Sequence, residues 1–251
     1  MLLVSTALVI TIGPSGLTAG DVVHSTVSLI SGTDSGLSRI QEGIIWNLRL
    51  PRALMAALAG AGLALCGVIL QSLLRNPLAD PYILGISSGA STGAVLVVVL
   101  GVGAGAVGLT TGAFIGSLSA FGFVLVLAFA SGGTTDRVVL AGVAATQLFS
   151  ALTSFIVYIA ADAEQTRGVL FWLLGSLSGV VWTDVWVCGV VVLVGLVVCL
   201  LHTSSLDAFT FGQDAAAALG VHVARTRLVL MVVTALITAV VVSTCGKLLW
   251  Q

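Results

Sequence analysis

Residues Arg49 to Gly93 read RLPRALMAALAGAGLALCGVILQSLLRNPLADPYILGISSGASTG. Two arginines flank Leu50-Pro51, and an uncharged apolar run follows from Ala53 to Leu74. Arg75-Asn76-Pro77 and Asp80-Pro81 break the run. The chain then returns to apolar sequence on a glycine ladder, Gly85, Gly89 and Gly93. At about 1.5 Å per residue, the run from Ala53 to Leu74 is long enough for a hydrocarbon core of ~30 Å. A charged end, an apolar span, a proline-broken turn and a small-residue span predict a helical hairpin in a membrane.

Composition extends this to the whole chain. Hydrophobic residues make up 58% and charged residues 8%, and the mean hydropathy is +1.19. A soluble domain carries about a quarter charged residues, so most of this surface must face lipid. The 30 glycines suit close-packed transmembrane faces. A net charge of −1 leaves no footprint for nucleic acid. Cys66, Cys188, Cys199 and Cys245 lie in apolar stretches without paired spacing and read as small core residues. Cys188 and Cys199 are too far apart on one helix to bridge. No metal-ligand cluster appears, and neither a metal nor a cofactor is expected.

Outward from the hairpin, Met1–Ile12 is apolar but short, ending at Gly13-Pro14. It lacks a basic start and a clear cleavage site. It therefore reads as a first span whose beginning is missing, in preference to a signal peptide. Thr18–Asn47 reads as a loop with short interfacial helices. Further spans are expected at Ile83–Gly101, Ala106–Ala130, Val138–Ala161, Asp184–Leu201 and Thr226–Cys245. Gly168–Val181 is too short to cross and reads as a re-entrant or interfacial helix. Gly112 and Gly116, like Gly175 and Gly179, repeat the small-xxx-small spacing of helix packing seen at Gly85, Gly89 and Gly93. The expected fold is an all-α, polytopic transmembrane bundle of about seven spans, a single transmembrane domain over residues 1–251.

Charge leaves the orientation open. Arg39, Arg49, Arg52 and Arg167 fall on one side, and Arg75, Arg137, Arg225 and Arg227 on the other. Ser205–Gly220 (SLDAFTFGQDAAAALG) interrupts the spans. Within it Gln213–Leu219 predicts a short helix, with Asp214 in its first turn and Gly220 past its end. A defined helix in a membrane-face loop is a handle for another protein.

Several chemistries are absent. Gly246-Lys247 is no Walker A motif, because Val241 stands at the first glycine position and no Ser or Thr follows. Gly85-Ile86-Ser87-Ser88-Gly89 fits the G-x-S-x-G pattern of a nucleophile elbow and is similar to the serine motif of intramembrane rhomboid proteases. However, His24, His202 and His222 all fall at or beyond span ends, where none can serve Ser87 as a base. The spans also lack the buried acids of a coupled carrier, and the His and Asp ligands of a zinc or manganese importer.

Arg49-Leu-Pro-Arg52, Arg75-Asn-Pro-Leu-Ala-Asp80-Pro81 and Leu84-Gly-Ile-Ser-Ser-Gly-Ala90 together closely resemble the FecCD-type permeases. These are membrane subunits of binding-protein-dependent ABC importers for iron-siderophores, haem and cobalamin. Leu140-Ala-Gly-Val143, Val169-Leu-Phe-Trp-Leu-Leu-Gly-Ser-Leu177, Gly212 to Val221 and Ala224-Arg-Thr-Arg227 continue the match in order, so it covers about Arg49 to Ser243. The resemblance implies a permease in the bacterial cytoplasmic membrane that moves a chelate inward by ATP-driven alternating access. ATP hydrolysis would be left to a separate subunit. It implies that Ser205–Gly220 faces the cytoplasm and couples to the ATPase through Gly212, Gln213, Asp214, Ala217, Leu219 and Gly220. It implies that Arg49 and Arg52 face outward and dock an extracytoplasmic substrate-binding protein. A second permease, a copy or a paralogue, would complete the pathway. The family has about ten helices, so the resemblance also implies a clipped start and missing C-terminal helices. An intramembrane serine protease and an inactive truncated remnant are the competing readings.

Overall fold

The computed structural model describes residues 36–101 and 108–246, together with residues 20, 24 and 28. The expected first span, Met1–Ile12, lies outside the described residues, as do most of the mixed stretch before Gly36 and the end from Lys247. The described residues form helices and no strand, the expected all-α architecture. They fall into two compact units. One comprises the described part of Met1–Gly60 with Leu177–Gly189. The other comprises that of Ala61–Ser176 with Val190–Gln251.

In the first unit, α1 (Arg39–Ile44) starts on a capping box. The Ser38 hydroxyl accepts the Gln41 N–H at 3.3 Å, and the Ser38 N–H donates to Gln41 Oε1 at 3.0 Å. A π-helical turn, Ile45–Arg49, leads directly into α2 (Leu50–Leu74), so the apolar helix is continuous over Arg39–Leu74, 36 residues. Pro51 has no N–H and would ordinarily kink such a helix. The wide turn lies immediately before it, where the Leu50 N–H bonds the Ile45 carbonyl five residues back. This corrects two expectations: the stretch to Asn47 is helical from Arg39, and the span begins before Ala53. The unit also holds the start of α7 (Trp182–Leu201), whose first turn is capped by the Asp184 carboxylate accepting the Val181 N–H at 3.1 Å. Trp182 Nε1 donates to the Trp46 carbonyl at 2.9 Å.

The second unit takes in the last residues of α2 and then α3 (Ile86–Leu100), α4 (Leu109–Ala130), α5 (Thr135–Ala160), α6 (Ala163–Leu174), the rest of α7, two short helices and α10 (Val223–Cys245). The post is α10. Its most apolar window is 67% buried within the chain, against 33% for α4 and 28% for α5. Ile69, Leu70, Leu73, Phe121, Val124, Leu230 and Met231 share the main core cluster. Thr234 and Thr238 on α10 are fully buried and return their hydroxyls to carbonyls one turn back, at 2.9 and 2.8 Å. That satisfies them without water.

The α3–α4 seam shows why the small residues are there. A Cβ on Gly93 would overlap the Gly112 carbonyl oxygen, and one on Gly89 would overlap the Gly116 carbonyl oxygen and the Ala120 methyl. From the other side, a Cβ on Gly116 would overlap the Gly89 carbonyl, and one on Gly112 would overlap Val97. The two backbones are therefore in contact over two turns, the way small faces bring helices together in lipid. Gly85 belongs to a different seam. A Cβ there would lie 3.1 Å from the Ala145 methyl of α5. Further along α3–α5, Thr92 Oγ1 lies 2.8 Å from both the Phe149 carbonyl and Thr153 Oγ1.

Two other expectations are corrected. The span expected at Ile83–Gly101 is α-helical only over Ile86–Leu100, 15 residues. The Asp80 carboxylate accepts the Tyr82 and Ile83 N–H groups at 2.8 and 3.2 Å, which with Pro81 starts a 3-10 turn, Pro81–Leu84. Gly85 then turns left-handed at φ +70° and separates it from α3. The helix expected at Gly168–Val181 is Ala163–Leu174 instead. It starts on a capping box at Asp162 and stops at Gly175, φ +75°. Gly175 and Gly179 thus do not form a helical packing pair.

Candidate functional site

One end of the second unit is built from turns and short helices. After α7, the chain forms α8 (Thr203–Thr210) and α9 (Gln213–Ala218). In α8, Leu206 and Phe209 sit one turn apart and are buried in the main core cluster. That pins the loop to the bundle. Gly212, at φ +110°, turns the chain into α9. An acid, Asp214, occupies the first turn, where the helix dipole favours it. The helix stops in a Schellman arrangement: Gly220 N–H bonds Ala217 O at 2.9 Å and Val221 N–H bonds Ala216 O at 3.0 Å, with Gly220 at φ +85°.

Three contacts hold α9 and its surroundings in place. Gln213 Nε2 donates to Thr135 Oγ1 at the start of α5, at 2.9 Å. Arg227 Nη1 donates to the Gly133 carbonyl in the α4–α5 turn, at 2.6 Å. Arg75, left-handed at φ +50° and ending α2, lies so close to Gly212 that a Cβ there would sit 3.3 Å from its Nη1. Arg227 is buried. It lines a cavity of about 450 Å³ with Gln213, Gly132, Gly133, Phe129 and Met231, and its Nη2 has no partner among the described residues.

The structure therefore brings Gln213 together with Thr135, and Gly212 together with Arg75. Ala216 and Gly212 face inward, while Asp214, Ala217, Leu219 and Gly220 are exposed. Leu219 is 71% exposed and Phe211 75% exposed, so a small-residue helix flanked by two bare apolar side chains projects from this end. Sequence reasoning missed α8 and Thr135, and named Arg227 only as a charge on this side and a residue of the Ala224-Arg-Thr-Arg227 block. The i, i+3 pair Leu206 and Phe209 was the available signal for α8.

In the first unit, Arg49 and Arg52 are both half-buried. Arg52 Nη2 donates to the Ser178 carbonyl at 2.7 Å, which ties the start of α2 to the segment leading into α7.

The G-x-S-x-G match has a packing explanation. Both glycines are taken up by helix seams, and Gly85–Gly89 joins a 3-10 turn to an α-helix, where a nucleophile elbow needs a strand-to-helix turn. The neighbouring Ser88, not Ser87, receives a hydroxyl bond, from Ser150 Oγ at 3.2 Å.

The FecCD transport family model matches residues 1–250. The chain is 37% identical over 224 residues to the cobalamin import system permease protein BtuC of Halobacterium salinarum, covering 89% of this chain and 60% of that protein. It is 36% identical over 207 residues to the hemin transport system permease protein HmuU of Yersinia pestis, covering 80% and 62%. The chain thus spans about three fifths of the length of these curated relatives. A solved structure assigned to the metal-chelate type of ABC transporter, in an inward-facing conformation, superposes with a TM-score of 0.81 at 29% identity, over 99% of this chain and 76% of that one. Among the described residues five helices are long and apolar enough to cross a membrane, the family match runs almost end to end, and the same fold recurs in a transporter: this multi-pass membrane protein belongs to the FecCD transport family.

Proposed function

We propose that the chain is a permease subunit of a binding-protein-dependent ABC importer, which moves an iron(III)-siderophore or a similar chelate, such as haem or cobalamin, across the cytoplasmic membrane. The observation that carries the reading is α9. It is a short, alanine-rich helix fixed to α5 by the Gln213–Thr135 hydrogen bond, with Asp214, Ala217 and Leu219 turned outward. A helix anchored by its inner face and bare on its outer face is suited to sit in a groove of a separate ATPase. Its attachment at α5, near the α4–α5 turn, gives a push on it a route into the spans. ATP hydrolysis belongs to that partner.

In the first unit, Arg49 and Arg52 would meet acids of an extracytoplasmic binding protein, since guanidinium forks suit carboxylates at a docking face. Arg52 also holds Ser178, which couples docking to the segment before α7. Leu148, Leu152, Phe155 and Ile159 form an exposed apolar stripe along α5. Their i, i+4, i+3, i+4 spacing suits a facing helix from a second permease, the same chain or a paralogue.

The test is ATP-dependent uptake in proteoliposomes holding the full transporter with its ATPase and binding protein, assayed with cobalamin, haem and a ferric siderophore. One of the three should accumulate. Ala217→Asp with Leu219→Asp should abolish uptake and release the ATPase on purification, with insertion unchanged. Full uptake by that variant would overturn the coupling role of α9.

A further inference from the structure

A second recess lies at the α9 end of the second unit, apart from the Arg227 cavity. It is about 530 Å³, between the end of α7 and the start of α10. Its polar wall is His202, Ser205, His222, Arg225 and Thr226, and no acid lines it. Three features point to an anion. First, the first turn of α10 carries no acid, and its N-cap, His222, makes no side-chain capping bond. The helix dipole and the free N–H groups there favour negative charge. The chain instead adds Arg225 to that turn, a cation where the dipole already disfavours one. Second, Thr226 is only 8% exposed, and its hydroxyl has no hydrogen-bond partner among the described residues. Third, the His202 ring is fixed beside the recess by its Nδ1, 2.9 Å from the Val198 carbonyl, and brings no negative charge to the wall.

We propose that this recess binds a phosphate group, supplied by the headgroup of an anionic phospholipid. The phosphate oxygens would be met by Arg225 and the Thr226 hydroxyl. Depth argues for the lipid over a free anion. The recess opens between two membrane-crossing helices at their ends, and Leu201, 78% exposed, and Val229 on its rim offer apolar surface to an acyl chain. Arginine-containing pockets at helix ends are where anionic headgroups are held. The proposal requires only that the helices cross a membrane, so it stands or falls independently of the transported chelate.

The test uses the full chain in phosphatidylcholine nanodiscs carrying a trace of spin-labelled phosphatidylglycerol or spin-labelled phosphatidylcholine, and reads the motionally restricted fraction of each. The expected result is a larger restricted fraction for phosphatidylglycerol than for phosphatidylcholine, from an about fivefold preference at this one site, the effect of one engaged arginine at a membrane face. Arg225→Gln with Thr226→Val should reduce it to near parity, while Arg225→Lys, which keeps the charge, should retain most of it and serves as the folding control. Equal restriction of the two lipids in the unmodified chain, or a preference that survives the double substitution, would overturn the site. Loss of the preference on adding millimolar inorganic phosphate at constant ionic strength would assign the recess to a free anion and overturn the lipid.

Discussion

Gly93→Ala is the sharpest perturbation the structure offers. The added methyl would overlap the Gly112 carbonyl oxygen and lie 3.0 Å from the Gly116 Cα. Both neighbours are backbone, so no side chain can rotate away and the helices must part. A gap of about 0.5–1 Å forfeits a quarter to a half of each dispersion contact along the seam, at ~0.1–0.2 kcal/mol per atom pair. Over the twenty or so pairs that two such turns supply, with the strain of the overlap, the cost is about 2–3 kcal/mol. For a chain of this size that is a fall of roughly 4–12 °C in Tm. Gly67→Ala and Gly122→Ala are the controls, because a Cβ at either meets nothing within 4 Å. They share the helix-propensity gain of up to ~1 kcal/mol from removing glycine. Unfolding in detergent, followed by tryptophan fluorescence, reads the difference. If Gly93→Ala melts with Gly122→Ala, backbone contact between α3 and α4 is not what holds the seam.

Thr92→Val and Thr153→Val should couple in a double-mutant cycle by about 0.6–1.7 kcal/mol, the range for hydrogen bonds between membrane helices; zero coupling would mean the 2.8 Å contact does not stabilise the native state. Arg227→Met removes a charged donor from the Gly133 carbonyl and should cost about 1.5–3 kcal/mol, read by the same unfolding assay. An unchanged or raised stability would show that the buried guanidinium costs more than its bond returns. Arg49→Glu with Arg52→Glu in the assembled transporter should abolish binding-protein-dependent uptake while the chain still inserts; unchanged uptake would remove the docking role. All four cysteines are buried and none is in a disulfide, so maleimide labelling should be slow in the folded chain and fast after unfolding, and rapid labelling of the native protein would contradict their placement.

The spans were legible because lipid demands long uncharged runs, and those runs stand out in the chain. Their ends were less so. Pro51 looks like a boundary in one dimension, yet a π-helical turn accommodates it. At Asp80-Pro81, by contrast, a side-chain cap and a left-handed glycine shorten the next helix by a turn. The glycine ladder was readable as packing, but spacing cannot say which partner each residue meets: Gly89 and Gly93 face α4, while Gly85 faces α5. The outward residues of α9 could be named from the resemblance. Its anchor Thr135 could not, because it stands 78 residues away on α5 and carries no local pattern; Arg227 stands in the Ala224-Arg-Thr-Arg227 block, but nothing local says that it reaches the Gly133 carbonyl.

The deep burial of α10 bears on how the protein is made. Spans enter a bilayer in the order of synthesis, and among the described helices this one arrives last. Until then Gly62, Cys66 and the inner faces of α3 and α4 lack the neighbour that covers them, and the earlier helices wait in lipid as a loose raft. Assembly of this unit is therefore a late event with one decisive arrival. A ribosome stalled before Val223 should leave an inserted but protease-sensitive intermediate, and release past Gly246 should convert it to the resistant form.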